Sequence, residues 1–347
     1  MLTARALNRT LLQRQQLVAR TSMPALEMVE HLVGLQAQDT TPPYVGLGAR
    51  LDGFAPSDLT TLLTSRAVSR IVLMRGTIHL VSAADCLAIR PLLQATLERL
   101  MRGADFVRSC ADIPPEQMVA AAAELLGPEP VSATDLGRAL ATRFPGHEPG
   151  HLGNTVRLLL PLVQAPPRGV WKRGGRPSYV HAEQWHGAAP VPTTPEELVR
   201  RYLRAFGPAT AADVTTWSGM TGIRAVLDRM DEELVHHVDD DGRALVNLEG
   251  LGLADPDEPA PVRLLGKYDN LWLSHADRSR TTEPEKRKRW MGLNGGSGNT
   301  VFVDGMLEGL WREEEGRVEV ELFRRLTRAE REELEAEVAR LEQLLAR

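Results

Sequence analysis

Ser69–Val81 reads SRIVLMRGTIHLV, a β-branched and apolar run interrupted once, at Gly76. Residues of this kind favour strands, and a lone glycine among them marks a bulge or a break into two arms. Arg75, Thr77 and His79 alternate with Met74, Ile78 and Leu80, so one face is polar. Such a face is ordinarily solvent exposure; it equally suits the lining of a channel. Helical patterns precede the run. Leu7, Leu11 and Val18 lie near one stripe. Ser22 and Pro24 start a second helix carrying Leu26, Val29, Leu32 and Val33. Pro42–Pro43 opens a third through Leu47, and Asp58–Leu63 is a fourth. Helices followed by a β-hairpin is the order of a winged helix.

That order recurs. MVAAAAELL, VSATDLGRALATRF and HLGNTVRLLLPLVQ are helical, and GVWKRGGRPSYV is a hairpin with Gly174–Gly175 at its turn. EELVRRYLRAF, PATAADVTTWSG and GIRAVLDRM are helical again, and VHHVD and ALVNL pair across Asp240–Asp241–Gly242. Thr134–Asp135–Leu136 and Ala212–Asp213–Val214 sit at the same place in their units. From residue 253 the pattern turns to strands (RLLGKYDNLWLS, GNTVFVDGMLEGLWR, RVEVELFRRL). A capping box, Thr327 with Glu330, then opens a last helix lined by Leu334, Val338, Leu341 and Leu345. The expected class is α+β: winged-helix units at 1–112, 113–192 and 193–252, and a β-rich unit with a C-terminal helix at 253–347.

The 347 residues are 25% charged and 43% hydrophobic, which excludes a disordered chain or a collagen. Cys86 and Cys110 are too few for a disulfide framework or a cysteine-rich zinc site. No apolar run spans a membrane and the N-terminus lacks a signal-peptide core, so a soluble cytoplasmic protein is expected. The net charge of −5 argues against general nucleic-acid coating but leaves room for local basic patches.

Several motifs are set aside. His147-Glu148-Pro149-Gly150-His151 fits the zinc-protease pattern, but Pro149–Gly150 breaks the helix that the pattern needs. Ser274, His275 and Asp277 suggest a triad; on a strand Ser274 would point away from His275. The glycine-rich run 294–299 lacks the following helix of a phosphate loop, and no metal site is expected. Two basic clusters remain. One holds Arg168, Lys172, Arg173 and Arg176. The other, residues 263–290, holds eight basic and four acidic residues and includes Lys286-Arg287-Lys288-Arg289-Trp290. Each suits phosphate neutralisation on a hairpin, the second with an aromatic tip for a groove, or else a solvated face.

Gln36-Ala37-Gln38-Asp39 at the end of the second helix, RGTIHLV at 75–81 and LSHADRSR at 273–280 resemble, in that order, the AlkZ/YcaQ-type winged-helix DNA glycosylases. The likeness runs from Leu7 to about Arg312. It implies tandem winged helices curved in a C around a DNA-sized channel, with no cofactor. It also implies excision of alkylated purines from damaged double-stranded DNA, and in some members unhooking of interstrand cross-links. The family's catalytic Gln-Φ-Gln or Gln-Φ-Asp maps onto Gln36 and Gln38. A second glutamine resembles the AlkZ branch, tied to self-resistance against genotoxins, and departs from the branch with aspartate there. Asp39, Arg75 and His79 are supporting candidates, Asp39 as helix-end surface or as a base in reserve. Lys172, Arg173, Lys267, His275, Arg278, Arg280, Lys286, Arg287, Lys288 and Arg289 are the expected DNA contacts. A 279–298 hairpin would probe the minor groove.

The chemistry is consistent with the residues. Alkylation at N7 or N3 makes the purine a cationic leaving group, so the enzyme need only place a water and stabilise an oxocarbenium-like sugar. Two glutamines can orient one water; a carboxylate would add base catalysis typically worth ~10²–10⁴-fold. On a helix, however, residues i and i+2 point to nearly opposite sides. The chain must therefore leave helical geometry around Leu35–Asp39, as DTTPP permits. Rival readings are a non-catalytic DNA-binding regulator and a drug-sequestering resistance protein. A pseudo-repeated monomer is expected.

Overall fold

The structure, a computed structural model, describes residues 1–191, 193–291 and 298–347. Helices followed by a paired hairpin recur along the chain. The first pair is β2 (Val68–Val72) with β3 (Ile78–Ser82), separated by a 3₁₀ turn at Met74–Gly76. Arg75 at φ 57 and Gly76 at φ 71 both occupy the left-handed region there, which is why the apolar run breaks at the glycine. The second pair is β5 (Leu162–Gln164) with β6 (Ser178–His181), and β4 (Val131–Ser132) borders β6. The third is β7 (Leu234–Val238) with β8 (Ala244–Leu248).

Helix starts explain the repeat seen in the sequence. Ser82, Ser132 and Thr210 each cap a helix by accepting the backbone N–H three residues on, from Asp85, Asp135 and Asp213 at 3.2, 3.1 and 3.1 Å. An aspartate in the first turn also meets the positive end of the helix dipole. Between these starts, helix Pro195–Phe206 buries Leu198, Tyr202 and Phe206 along one stripe.

The first two hairpins are not separate. A very short strand, β1 (Leu35–Gln36), edges β3, and β2 pairs with β5, giving one six-stranded antiparallel sheet ordered β1-β3-β2-β5-β6-β4. Residues 113–160 keep a small core of their own around Met118, Leu136, Leu152 and Val156, while most of the chain shares one large core. The C-terminal sheet runs β12 (Arg317–Leu322), β11 (Met306–Glu314), β10 (Asn299–Val303), β9 (Arg263–Leu265). Helix Arg328–Ala346 starts at Thr327 and Glu330, which cap each other as expected.

Several expectations change. Leu162–Gln164, read with the third helix of its unit, is strand β5. RLLGKYDNLWLS is strand only at 263–265; Asn270–Leu273 is a helical turn capped by Asp269. The second hairpin's arms lie outside GVWKRGG, which forms the long loop between β5 and β6. Pro284–Met291 is a helix, so Lys286–Arg289 do not stand on a hairpin. Trp290 is no exposed tip: it is buried and stacked on Trp272, centroids 4.2 Å apart. Most of the glycine-rich run 294–299 lies outside the described residues.

Candidate active site

Gln36 and Gln38 do not close a helix. The second helix ends at His31. Val33 and Gly34 take positive φ (52° and 89°) and turn the chain onto β3. A side chain at Gly34 would collide with Val81, its Cβ falling 2.6 Å from Val81 Cγ1. Leu35 then pairs with Leu80 and Gln36 with His79, and Ala37 N–H donates to Ile78 O at 2.7 Å. In extended backbone residues i and i+2 turn to the same side. β1 ends at Gln36, however, and Gln38 lies in the bend beyond it; both glutamines stand outside the helix.

Arg75 is the hub. Its Nη2 donates to Gln36 Oε1 at 3.0 Å and faces His79 Nε2 at 3.3 Å, and its Nη1 donates to Trp217 O. Trp217 lies in helix Ala211–Ser218, so the third helical group braces a residue of the first. Arginine at φ 57 is an uncommon conformation, of the sort that gathers at functional sites. Burial, and secondarily the charge of Arg278, lowers Arg75 to about 10.

His79 is 1% exposed, so the polar face of β3 is not solvated. Its Nδ1–H donates to Thr77 O at 3.1 Å, leaving Nε2 as acceptor for Arg75. Burial and then the Arg75 charge push the imidazole down to about 3, so it is neutral at physiological pH and supports rather than shuttles protons. Ile78 N–H donates to Gln38 Oε1 at 3.2 Å. Gln38 is exposed and Gln36 is 7% exposed.

Asp39 is exposed and sits 3.7 Å from Lys267 Nζ. Its carboxylate also lies close enough to Arg70 to bear on that guanidinium. Arg70, in the apolar strand β2, is 1% exposed and donates Nη2 to Ala37 O at 2.7 Å, holding the residue between the two glutamines. Gly169 of the β5–β6 loop packs on Arg70: a Cβ there would lie 2.7 Å from Arg70 Cδ. The Arg70 support was missed in the sequence; its only signal is a charge inside VSRIV.

The cations divide sharply. His275 and Arg280 are interior, 2% and 6% exposed; Arg280 donates to Pro208 O and His275 Nδ1 bonds Ser274 Oγ at 2.9 Å. They are corrected from DNA contacts to core. Ser274 and His275 thus do meet, at the end of a helical turn rather than on a strand, but are sealed from substrate. Lys286 pairs with Glu308 at 2.9 Å, Arg289 with Glu321 and Lys288 with Glu285. Lys172 and Arg173 are exposed on the β5–β6 loop. Arg75, Arg278 and Arg287 have no carboxylate partner among the described residues. Burial, and secondarily the charge of Arg287, lowers Arg278, just as burial and then Arg278 lower Arg75. Arg278, Arg287 and Lys288 line an open cavity of about 300 Å³. His147 and His151 go to separate partners, Asp112 at 3.0 Å and Ser109 at 2.7 Å.

Gln36 on the edge strand and Gln38 beyond it thus lie beside a half-buried arginine and a buried histidine. The chain belongs to the AlkZ-like DNA glycosylase family, whose model matches residues 29–344. It is 24% identical over 317 residues to an interstrand DNA cross-link repair glycosylase of Streptomyces sahachiroi, covering 86% of this chain and 85% of the relative. Its fold matches the solved structure of the Streptomyces sahachiroi DNA glycosylase AlkZ, with a TM-score of 0.85 and 21% identity over 99% of this chain and 97% of that one.

Proposed function

We propose that this chain is a monofunctional DNA glycosylase hydrolysing the N-glycosidic bond of bulky N7-alkylguanine and related N3- or N7-alkylpurine lesions. On this reading it unhooks interstrand cross-links and protects its host from a genotoxic natural product. It binds damaged duplex DNA as a cytoplasmic monomer without a cofactor. Three winged-helix units and the β-rich unit curve around the duplex. The observation that carries the reading is that Gln36, on the edge strand β1, is held by Arg75, itself braced by His79, while Gln38 in the bend that follows is held by the Ile78 N–H. Family membership supports the reaction class, and the relative's cross-link activity supports the substrate.

A purine alkylated at N7 leaves without protonation, so the absence of an acid at Gln36 and Gln38 is no obstacle. Arg278 and Arg287 suit the flanking phosphodiesters. The test is base release from duplex DNA carrying either one N7-methylguanine or one bulky intercalator-type N7 adduct. Release from the bulky adduct in preference supports the reading. DNA binding without release from either would leave a non-catalytic DNA binder.

A further inference from the structure

The side-chain oxygens of both glutamines are already engaged. Arginine has only N–H donors, so the Gln36 atom 3.0 Å from Arg75 Nη2 is its carbonyl oxygen. The Ile78 N–H is likewise donor-only and takes Gln38 Oε1 at 3.2 Å. Arg75 has little freedom to turn. Nη1 is held by Trp217 O, and Nη2 by His79 Nε2, whose tautomer Thr77 O sets. Among the described residues nothing accepts from Gln36 Nε2 or Gln38 Nε2.

We infer that Arg75 is a positioning residue that locks Gln36 with its NH₂ outward, so that the glutamine pair offers the damaged nucleotide N–H donors rather than acceptors for a water. This deepens the glycosylase reading and rests on it.

Donors aimed at a water would bind the lone pair that must attack C1′. They suit instead an acceptor that gains electron density in the transition state. When the C1′–N9 bond of an N7-alkylguanine breaks, its electron pair goes to N9 and the ring cation becomes neutral. Density at N3 and O6 rises, while C1′ becomes an oxocarbenium. A water then forms the O–C1′ bond and releases a proton to solvent. Hydrogen bonds from the two amides to N3 or O6 strengthen along this path, which is the condition for catalysis rather than mere binding.

The experiment measures single-turnover base release, duplex affinity and melting temperature for wild type, Gln36→Glu, Arg75→Lys and Arg75→Gln, using whichever of the two adduct duplexes wild type cleaves faster. Gln36→Glu is nearly isosteric but has no N–H when ionised beside Arg75. Its release is expected to fall about 10²–10³-fold with affinity unchanged. Arg75→Lys can still only donate and should retain several-fold more release than Arg75→Gln, whose amide lets Gln36 reverse. Gln36→Glu equal to or faster than wild type would overturn the inference and assign the work to the amide oxygen. Equal losses in both Arg75 variants, tracking melting temperature, would reduce Arg75 to fold support and overturn it too. Failure of wild type itself to release base would overturn the glycosylase reading, an outcome separable from the other two.

Discussion

Arg50 and Asp269, 219 residues apart, form a two-point ion pair sealed from solvent: Nη1 to Oδ2 at 2.8 Å and Nη2 to Oδ1 at 2.7 Å. Arg50 ends the helix Pro42–Arg50 that follows the glutamines. The next residue after Asp269, Asn270, donates to Gly34 O at 2.9 Å just before them. The C-terminal unit therefore grips both flanks of Gln36–Gln38. The segment that carries the two glutamines is thus tied on both sides to residues far along the chain.

Asp269→Ala leaves a buried guanidinium without its counter-charge, and removing one partner of a buried pair costs about 3–5 kcal/mol. Denaturant unfolding should show a loss of that order. Asn270→Ala removes a neutral contact and should cost about 1–2 kcal/mol. It should also slow base release with duplex affinity intact. An Asp269→Ala protein as stable as wild type would show that the pair contributes no net stability.

Gln36→Ala and Gln38→Ala should each reduce single-turnover release with DNA binding preserved. Removing one preorganised donor typically costs about 10²–10³-fold. Gln36, held by a charged donor and nearly buried, should show the larger loss, because Gln38 is exposed and held by a neutral backbone N–H. A matching loss of affinity in both variants would recast the pair as a binding element.

Arg173→Ala and Arg287→Ala each remove a cation with no carboxylate partner among the described residues. If each neutralises one phosphate, the slope of log affinity against log salt should flatten by about 0.9 per variant. His275→Ala and Arg280→Ala should lower the melting temperature and leave that slope alone, since both side chains are interior. An altered slope in the His275 variant would contradict its burial.

His79 is lowered to about 3 by burial and by Arg75, and burial lowers His275 in the same direction. Unfolded, each titrates near 6.5. Between these values the unfolded chain binds the extra protons. The contribution of these two groups is thus full above about pH 6.5 and is lost as pH falls below it. His79→Gln keeps an acceptor for Arg75 and removes one such group. Its melting temperature should fall less than wild type between about pH 7 and about pH 5. Parallel curves would mean that His79 does not contribute.

The local signals in the sequence proved readable where the forces are local. Thr327 with Glu330 is a cap formed within four residues, and the helix Pro195–Phe206 needs only local spacing. The break at Gly76 was visible for the same reason. Gln36-Ala37-Gln38 misled as a helix end because the strand Leu35–Gln36 exists only through β3, more than forty residues on. The close approach at Gly34 has no trace in the neighbouring residues.

Charge in the sequence likewise identified arginines and lysines without their surroundings. Which of them meet solvent depends on what packs against them. Pro208 lies on Arg280, Glu308 on Lys286 and Trp217 on Arg75, each brought from a distant segment. Composition, helix caps and the order of helices and hairpins were therefore set by the chain alone, because each is decided within a turn or two. The amide orientation at Gln36, the neutral state of His79 and the division of the cations between core and surface were decided only by tertiary packing. Desolvation and hydrogen-bond partnership arise only when remote segments meet.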